Sequence, residues 1–150
     1  MLERKKIVRV LPALVAAMIG GCEDRKRVEL YVESEGDFPF FNPDTLTCPW
    51  GAQVRLTFHH AGTVLTQSHN WVLVKPDAAE AVELAGIEAG EENGWLRKAD
   101  PRVIAATPMI EKGATVSIEF TAPAPGEYPY ICTTPGHAED MHGILQVTRV

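Results

Sequence analysis

The chain has 150 residues, of which 45% are hydrophobic and 23% charged, with a formal net charge of −6. That size and balance suit one globular domain with a core of modest size, not a disordered chain. No apolar run reaches the 18 residues of a membrane-spanning helix. Nor is there an internal repeat, a low-complexity tract, or a basic patch of the kind that would bind nucleic acid.

The N-terminus reads as an export signal. Arg4, Lys5, Lys6 and Arg9 form a positive segment, followed by a short apolar stretch from Val10 to Ile19. It ends in Ile19-Gly20-Gly21-Cys22, which resembles a bacterial lipobox. Residues 1–21 are therefore expected to be a lipoprotein signal peptide, with Cys22 the lipidated first residue of the mature chain. Cleavage by an ordinary signal peptidase, with Cys22 incidental, is the plainer alternative. A lipid at Cys22 would hold the protein on the periplasmic side of a membrane or at the cell surface without spanning the bilayer. Loss of residues 1–21 removes four bases and one acid, leaving ten bases, nineteen acids and a net charge of −9. Such a surface attracts basic partners, mainly by raising the encounter rate. Residues 22–37 read as tether and first strand, and 38–150 as the domain proper.

Along the body, period-two alternation predicts strands. Val28 to Val32 comes first, then a strand ending at Leu46-Thr47-Cys48, then Val54-Arg55-Leu56-Thr57-Phe58. Trp71 to Val74 follows. Asp77 to Glu92 breaks the pattern, being rich in Ala, Glu and Leu, and predicts a short helix with Asp77 as its N-cap. Val116-Ser117-Ile118-Glu119-Phe120 resumes the alternation. Pro123, Pro125 and Gly126 mark a turn before Glu127 to Cys132, and Ile144 to Val150 closes the chain. Short strands at regular spacing around one inserted helix predict an all-β, Greek-key β-sandwich.

Chemistry concentrates in one loop. Between Tyr130 and Gly143 lie a thiol, an imidazole and a thioether, Cys132, His137 and Met141, with Pro135 and Gly136 supplying a bend. A loop leaving one strand and entering the next can point all three at one centre. A distant His69, in Ser68-His69-Asn70-Trp71, would complete a His₂Cys set with a weak axial Met, the donor pattern of a blue-copper electron-transfer site. Zinc competes for cysteine and histidine, but a thioether serves it poorly and no second cysteine lies nearby.

These motifs resemble azurin, within the cupredoxin family. The likeness rests on Cys132-x4-His137-x3-Met141, on His69-Asn70-Trp71-Val72-Leu73, on Asp100-Pro101-Arg102-Val103-Ile104-Ala105 and on Cys132-Thr133-x-Pro135-Gly136-His137, running from about Phe41 to Val150. The resemblance implies one type 1 copper, with His69, Cys132 and His137 as strong ligands and Met141 as the long axial one. It also implies a weak backbone contact from Ser68, where azurins have glycine. Asn70 should link the ligand loops, the Thr134 amide should donate to the Cys132 sulfur, and Trp71 should face the sandwich interior. His60 matches a histidine that azurins keep near the metal without ligating it. Azurins usually carry an N-terminal disulfide; Cys48 lies near one partner position and the other is absent, so no disulfide is expected. Thr134 and Asp140 stand where azurins carry apolar residues, which weakens an apolar docking face.

The remaining candidates have plain readings. One of His59 and His60 should pack inside, His142 should face solvent, and Cys48 should be a small core residue. Tyr128, Tyr130 and Trp50 read as core or edge aromatics. No general acid–base pair or substrate pocket is implied. The expected function is therefore electron transfer, not catalysis, by a copper carrier that works as a monomer. It would exchange electrons with redox proteins, basic c-type cytochromes among them, through the edge of His137. A copper-binding or delivery lipoprotein is the alternative; delivery sites tend to be exposed and rich in Met and His, unlike this single set of four.

Overall fold

Alternating apolar and polar side chains make the strands, and the apolar side of each faces one shared interior. The computed structural model describes residues 25–64 and 67–149, so the expected signal segment, residues 1–21, and Cys22 lie outside the described residues. Nine strands follow in chain order: β1 (Arg27–Glu35), β2 (Phe38–Asn42), β3 (Thr45–Pro49), β4 (Gln53–His59), β5 (Val72–Val74), β6 (Val103–Ala106), β7 (Thr115–Thr121), β8 (Gly126–Ile131) and β9 (His142–Thr148). They form a four-stranded sheet, β2-β1-β4-β7, and a five-stranded sheet, β3-β9-β8-β5-β6. β1 pairs parallel with β4, and β3 parallel with β9; the other pairs are antiparallel.

β4 shows the rule most cleanly: Val54, Leu56 and Phe58 are fully buried while Arg55 faces outward. Leu46 and Cys48 of β3 and Leu145 and Val147 of β9 meet them across the interior, with Trp71 and Tyr130 between. Trp71 stacks on Phe120 and lies 5.3 Å from the Tyr130 ring, as an inward-facing residue should. Tyr130 donates its hydroxyl to the Pro43 carbonyl (3.0 Å), which satisfies the one polar atom it buries. Its ring occupies the space where a side chain at Gly143, its cross-strand partner, would stand.

β1 is integral to the four-stranded sheet, held between β2 and β4. β2 and β6 were not foreseen as strands from the alternation. Both lie at sheet edges; β6 is half-buried at every position, and β2 carries exposed Phe38 and Phe40 on its outer face, so neither sequence alternates apolar with polar. Trp50, read as a core or edge residue, is exposed.

The expected helix is present but shorter. α1 spans Ala79–Ala89, and a separate 3₁₀ turn covers Glu91–Asn93. Asp77 is not its cap: it follows Pro76 in the left-handed region (φ 60°), Ala78 holds the N-cap position, and no side chain caps the helix. Gly90 (φ 83°) ends it. The helix lays Val82 against Val72, Val74 and Ile131, forming a second apolar cluster on the outer side of the five-stranded sheet. β5 is therefore buried on both faces, which explains its unbroken Val-Leu-Val. It leads away from the segment Ser68-His69-Asn70-Trp71 and anchors it.

Candidate metal centre

Two chain segments build the site at one end of the sandwich. The first carries His69, whose backbone N–H and carbonyl both pair with Ile110 (3.1 and 2.8 Å), fixing it beside the strands though it belongs to neither sheet. The second leaves β8 at Cys132 and enters β9 at His142. It closes on itself: the Cys132 N–H donates to the Met141 carbonyl (3.0 Å), and the Met141 N–H to the His137 carbonyl (2.7 Å). Gly136, at φ 80°, makes the turn that an L side chain would resist.

Cys132 Sγ lies 3.7 Å from His69 Nδ1 and 3.8 Å from His137 Nδ1. All three donor atoms fall within 4.8 Å of one another, and all three residues are buried. Nitrogen and sulfur bound about 2.0–2.3 Å from one ion, at angles from tetrahedral to trigonal, stand about 3.6–3.8 Å apart. The spacing therefore suits a single ion between them. Met141 is fully buried within the apolar cluster that contains Cys132.

Electrostatics point the same way. Burial, with the nearby His60 and His137, holds His69 down at about 3, and burial lowers His137 as well. Both imidazoles are thus neutral near pH 7, with lone pairs available to a metal. Burial raises the Cys132 thiol, opposed by hydrogen bonds from Thr134 and from the Asn70 backbone. A thiolate there needs a cation to offset its desolvation. The donor set, two neutral nitrogens and one soft sulfur in a dry site, fits copper.

Asn70 ties the two segments together. Its Nδ2 donates to Thr133 Oγ1 and its Oδ1 accepts from the Thr133 N–H, each at 2.8 Å and buried. Thr134 adds a third link, its hydroxyl donating to the Ser68 carbonyl (2.8 Å), with Met109 Sδ 3.6 Å away. The carbonyl considered for a weak metal contact thus accepts a hydrogen bond from the opposite loop.

His60 is the inward histidine of its pair. It is fully buried, its ring centroid 4.4 Å from that of His69. His59 is half-buried and bonds Ala114 and Thr115. His142 is exposed and bonds the Ala138 carbonyl. Cys48 and Cys132 are both free thiols. His137, expected to present a ring edge, is only 6% exposed, and its Nε2 lies 3.0 Å from Gln67 Oε1. Neither Gln67 nor Thr133 stood out in the sequence. Thr133 entered only as part of the motif after Cys132, and nothing in the sequence marked Gln67.

Residues 28–148 match the family model described as copper binding proteins, plastocyanin/azurin family. Auracyanin-A of Chloroflexus aurantiacus is 39% identical over 122 residues, covering 80% of this chain and 74% of that protein. Azurin iso-2 of Methylomonas sp. strain J is 32% identical over 120 residues, covering 76% and 93%. The solved structure of auracyanin A, described as a "blue" copper protein, superposes with a TM-score of 0.76 at 38% identity, covering 81% of this chain and 99% of that one. A dithionite-reduced auracyanin from Roseiflexus castenholzii gives a TM-score of 0.75 at 34% identity, covering 80% and 96%.

Proposed function

We propose that this chain, which belongs to the plastocyanin/azurin family of copper binding proteins, carries single electrons between redox proteins outside the cytoplasmic membrane. The cofactor is copper, and His69, Cys132 and His137 form a group able to hold one ion. Met141 is the axial donor in this reading, and Asn70 and Thr134 hold the loops that present the ligands. When bound, copper supplies a one-electron couple, Cu(II)/Cu(I). The chain supplies a dry cavity and ligands that three hydrogen bonds between the loops keep in place. Ligands held rigidly need to rearrange little when the charge at the centre changes.

The observation that carries the reading is the convergence of two imidazole nitrogens on one buried sulfur, at 3.7 and 3.8 Å. Full burial of Cys132 and Met141 favours a metal that stays over one handed on, so it supports a carrier over a delivery protein. The signal-like start, the lipobox-like Ile19-Gly20-Gly21-Cys22 and the acidic net charge support export, a lipid anchor at Cys22 and basic partners such as c-type cytochromes. Among the described residues no helix is long and apolar enough to cross a membrane.

Absorption and EPR spectra of the copper-loaded protein test the function. An intense blue colour that bleaches on reduction is expected; a colourless Cu(II) form would defeat it. For the anchor, the native protein should label with a fatty-acid analogue, and Cys22→Ala should not. Absence of label on the native protein would refute lipidation.

A further inference from the structure

Gln67 is held between two histidines. Its backbone carbonyl accepts from His60 Nε2 (2.9 Å), and its side-chain Oε1 lies 3.0 Å from His137 Nε2. A carbonyl only accepts, so the His60 ring proton sits on Nε2 and points at Gln67, while Nδ1 accepts from the Gly62 N–H (3.1 Å) with the Ser34 hydroxyl 3.4 Å away. His60 is fully buried and lies against the His69 ring, so this bond fixes the Gln67 backbone two residues before a metal donor.

The same logic applies at the other end of the residue. His137 turns Nδ1 toward Cys132 Sγ (3.8 Å), and a lone pair must sit there to hold an ion. The ring proton then belongs on Nε2, where Gln67 Oε1 is the acceptor. Gln67 itself is exposed while His137 is 6% exposed. The amide therefore lies between the imidazole edge and solvent.

We infer that Gln67 is a positioning residue for the metal centre: its side-chain oxygen selects the Nε2–H tautomer of His137, aims its Nδ1 at the site and caps its outer edge. An acceptor on the far N–H of a ligand imidazole makes the ring a stronger donor and favours the more highly charged metal. Gln67 thus lowers the reduction potential. The potential depends on the copper reading above; the tautomer stands also on Gln67 Oε1, an amide oxygen that only accepts and so faces an Nε2–H.

The test uses the full chain with nitrogen-15 label, metal-free and copper-loaded. In the metal-free wild type, the ring-nitrogen shifts of His137 should report the Nε2–H form, with a slowly exchanging Nε2 proton. Gln67→Ala should mix the tautomers and speed that exchange about fivefold, the weight of one ordinary hydrogen bond. Gln67→Glu keeps an acceptor and should retain the slow proton. Copper-loaded, the potentials should fall in the order Gln67→Ala, wild type, Gln67→Glu. Ring signals or a potential in Gln67→Ala equal to wild type would overturn the assignment. A wild type that takes up copper without turning blue strikes at the copper reading instead, and the metal-free ring signals then decide the cap alone.

Discussion

Cys48 and Cys132 belong to the same apolar cluster, and burial raises the thiol pKa of both. Their surroundings differ because of where they sit on a strand. Cys48 lies inside β3, where the backbone groups are spent on the ladder to β9 and the neighbouring side chains are hydrocarbon. Cys132 lies one residue past the end of β8, where the chain leaves the sheet and free amides and loop side chains can turn toward the sulfur. Two imidazoles then converge on it. The sheet interior makes a thiol inert, and the sheet end can make it a ligand.

Serine at each position is the most direct way to break that contrast. Cys132→Ser should abolish the blue absorption and leave the strands in place by circular dichroism. Cys48→Ser should keep the colour but cost about 1–3 kcal/mol in urea unfolding of the metal-free protein, because it buries a hydroxyl among apolar neighbours. If Cys48→Ser lost the colour, the inert reading of β3 would be wrong.

Met141 sharpens the contrast, since its burial serves packing and, in the proposed reading, ligation as well. Met141→Ala should destabilise the metal-free protein by about 2–5 kcal/mol through the cavity it opens. Met141→Leu conserves volume and should cost less than about 1.5 kcal/mol, while still changing the potential because the thioether is gone. An unchanged potential in Met141→Leu would mean that Met141 is filler only.

How much of this could be read from the chain depends on distance along it. Cys132, His137 and Met141 share one loop, so their spacing marked them as candidates, and the alternation in β4 and β7 announced the sandwich. The edge strand β6 was obscure because partial burial erases alternation, and β2 because its outward positions Phe38 and Phe40 are themselves aromatic. Asp77 read as a cap because its residue type suits one, but the turn after Pro76 puts its backbone in the left-handed region and leaves the cap to Ala78. Gln67 was invisible. Its role arises only where the fold brings one residue against His60 and His137 together.

The loops at the ligand end rely on side-chain hydrogen bonds where the sheets rely on backbone ones. Asn70→Ala removes both bonds to Thr133 and should weaken copper binding about 10–100-fold, as loss of an orienting partner of a metal ligand commonly does. Competition with a chelator would measure it. A second polar lock, outside the metal end, joins Asp100 to Arg102 through three bonds of 2.6–3.0 Å. The Arg102 guanidinium holds the Asp100 carboxyl down at about 2. Because the folded value lies below the unfolded one, near 3.9, this stabilisation is present above about pH 4. It is lost as pH falls through about 2. Acid unfolding of Asp100→Asn should accordingly show a shallower loss of stability between pH 4 and 2 than wild type, with little change in colour at neutral pH.

The smallest expected effect concerns partner encounter, and it sets the two ends of the molecule against each other. Glu139 and Asp140 are exposed on the ligand loop itself, whereas Glu127 is exposed near the start of β8, five residues before Cys132. At about 3.3 Å per residue, that strand places Glu127 about 16 Å from the ligand, roughly twice the Debye length of about 8 Å in physiological salt. Asp140→Asn and Glu127→Gln change the net charge equally, so any difference between them reports where the partner docks. With a basic c-type cytochrome, electron transfer should slow as salt rises. At low salt Asp140→Asn should slow it further and Glu127→Gln much less; at high salt all three should converge, since exposed charges steer approach more than they bind. Removing a negative charge beside the centre should also raise the potential of Asp140→Asn slightly. Stopped-flow rates across a salt series separate the cases. Equal slowing by both variants would mean that only net charge matters, and flat rates would mean that the partner docks through apolar contact instead.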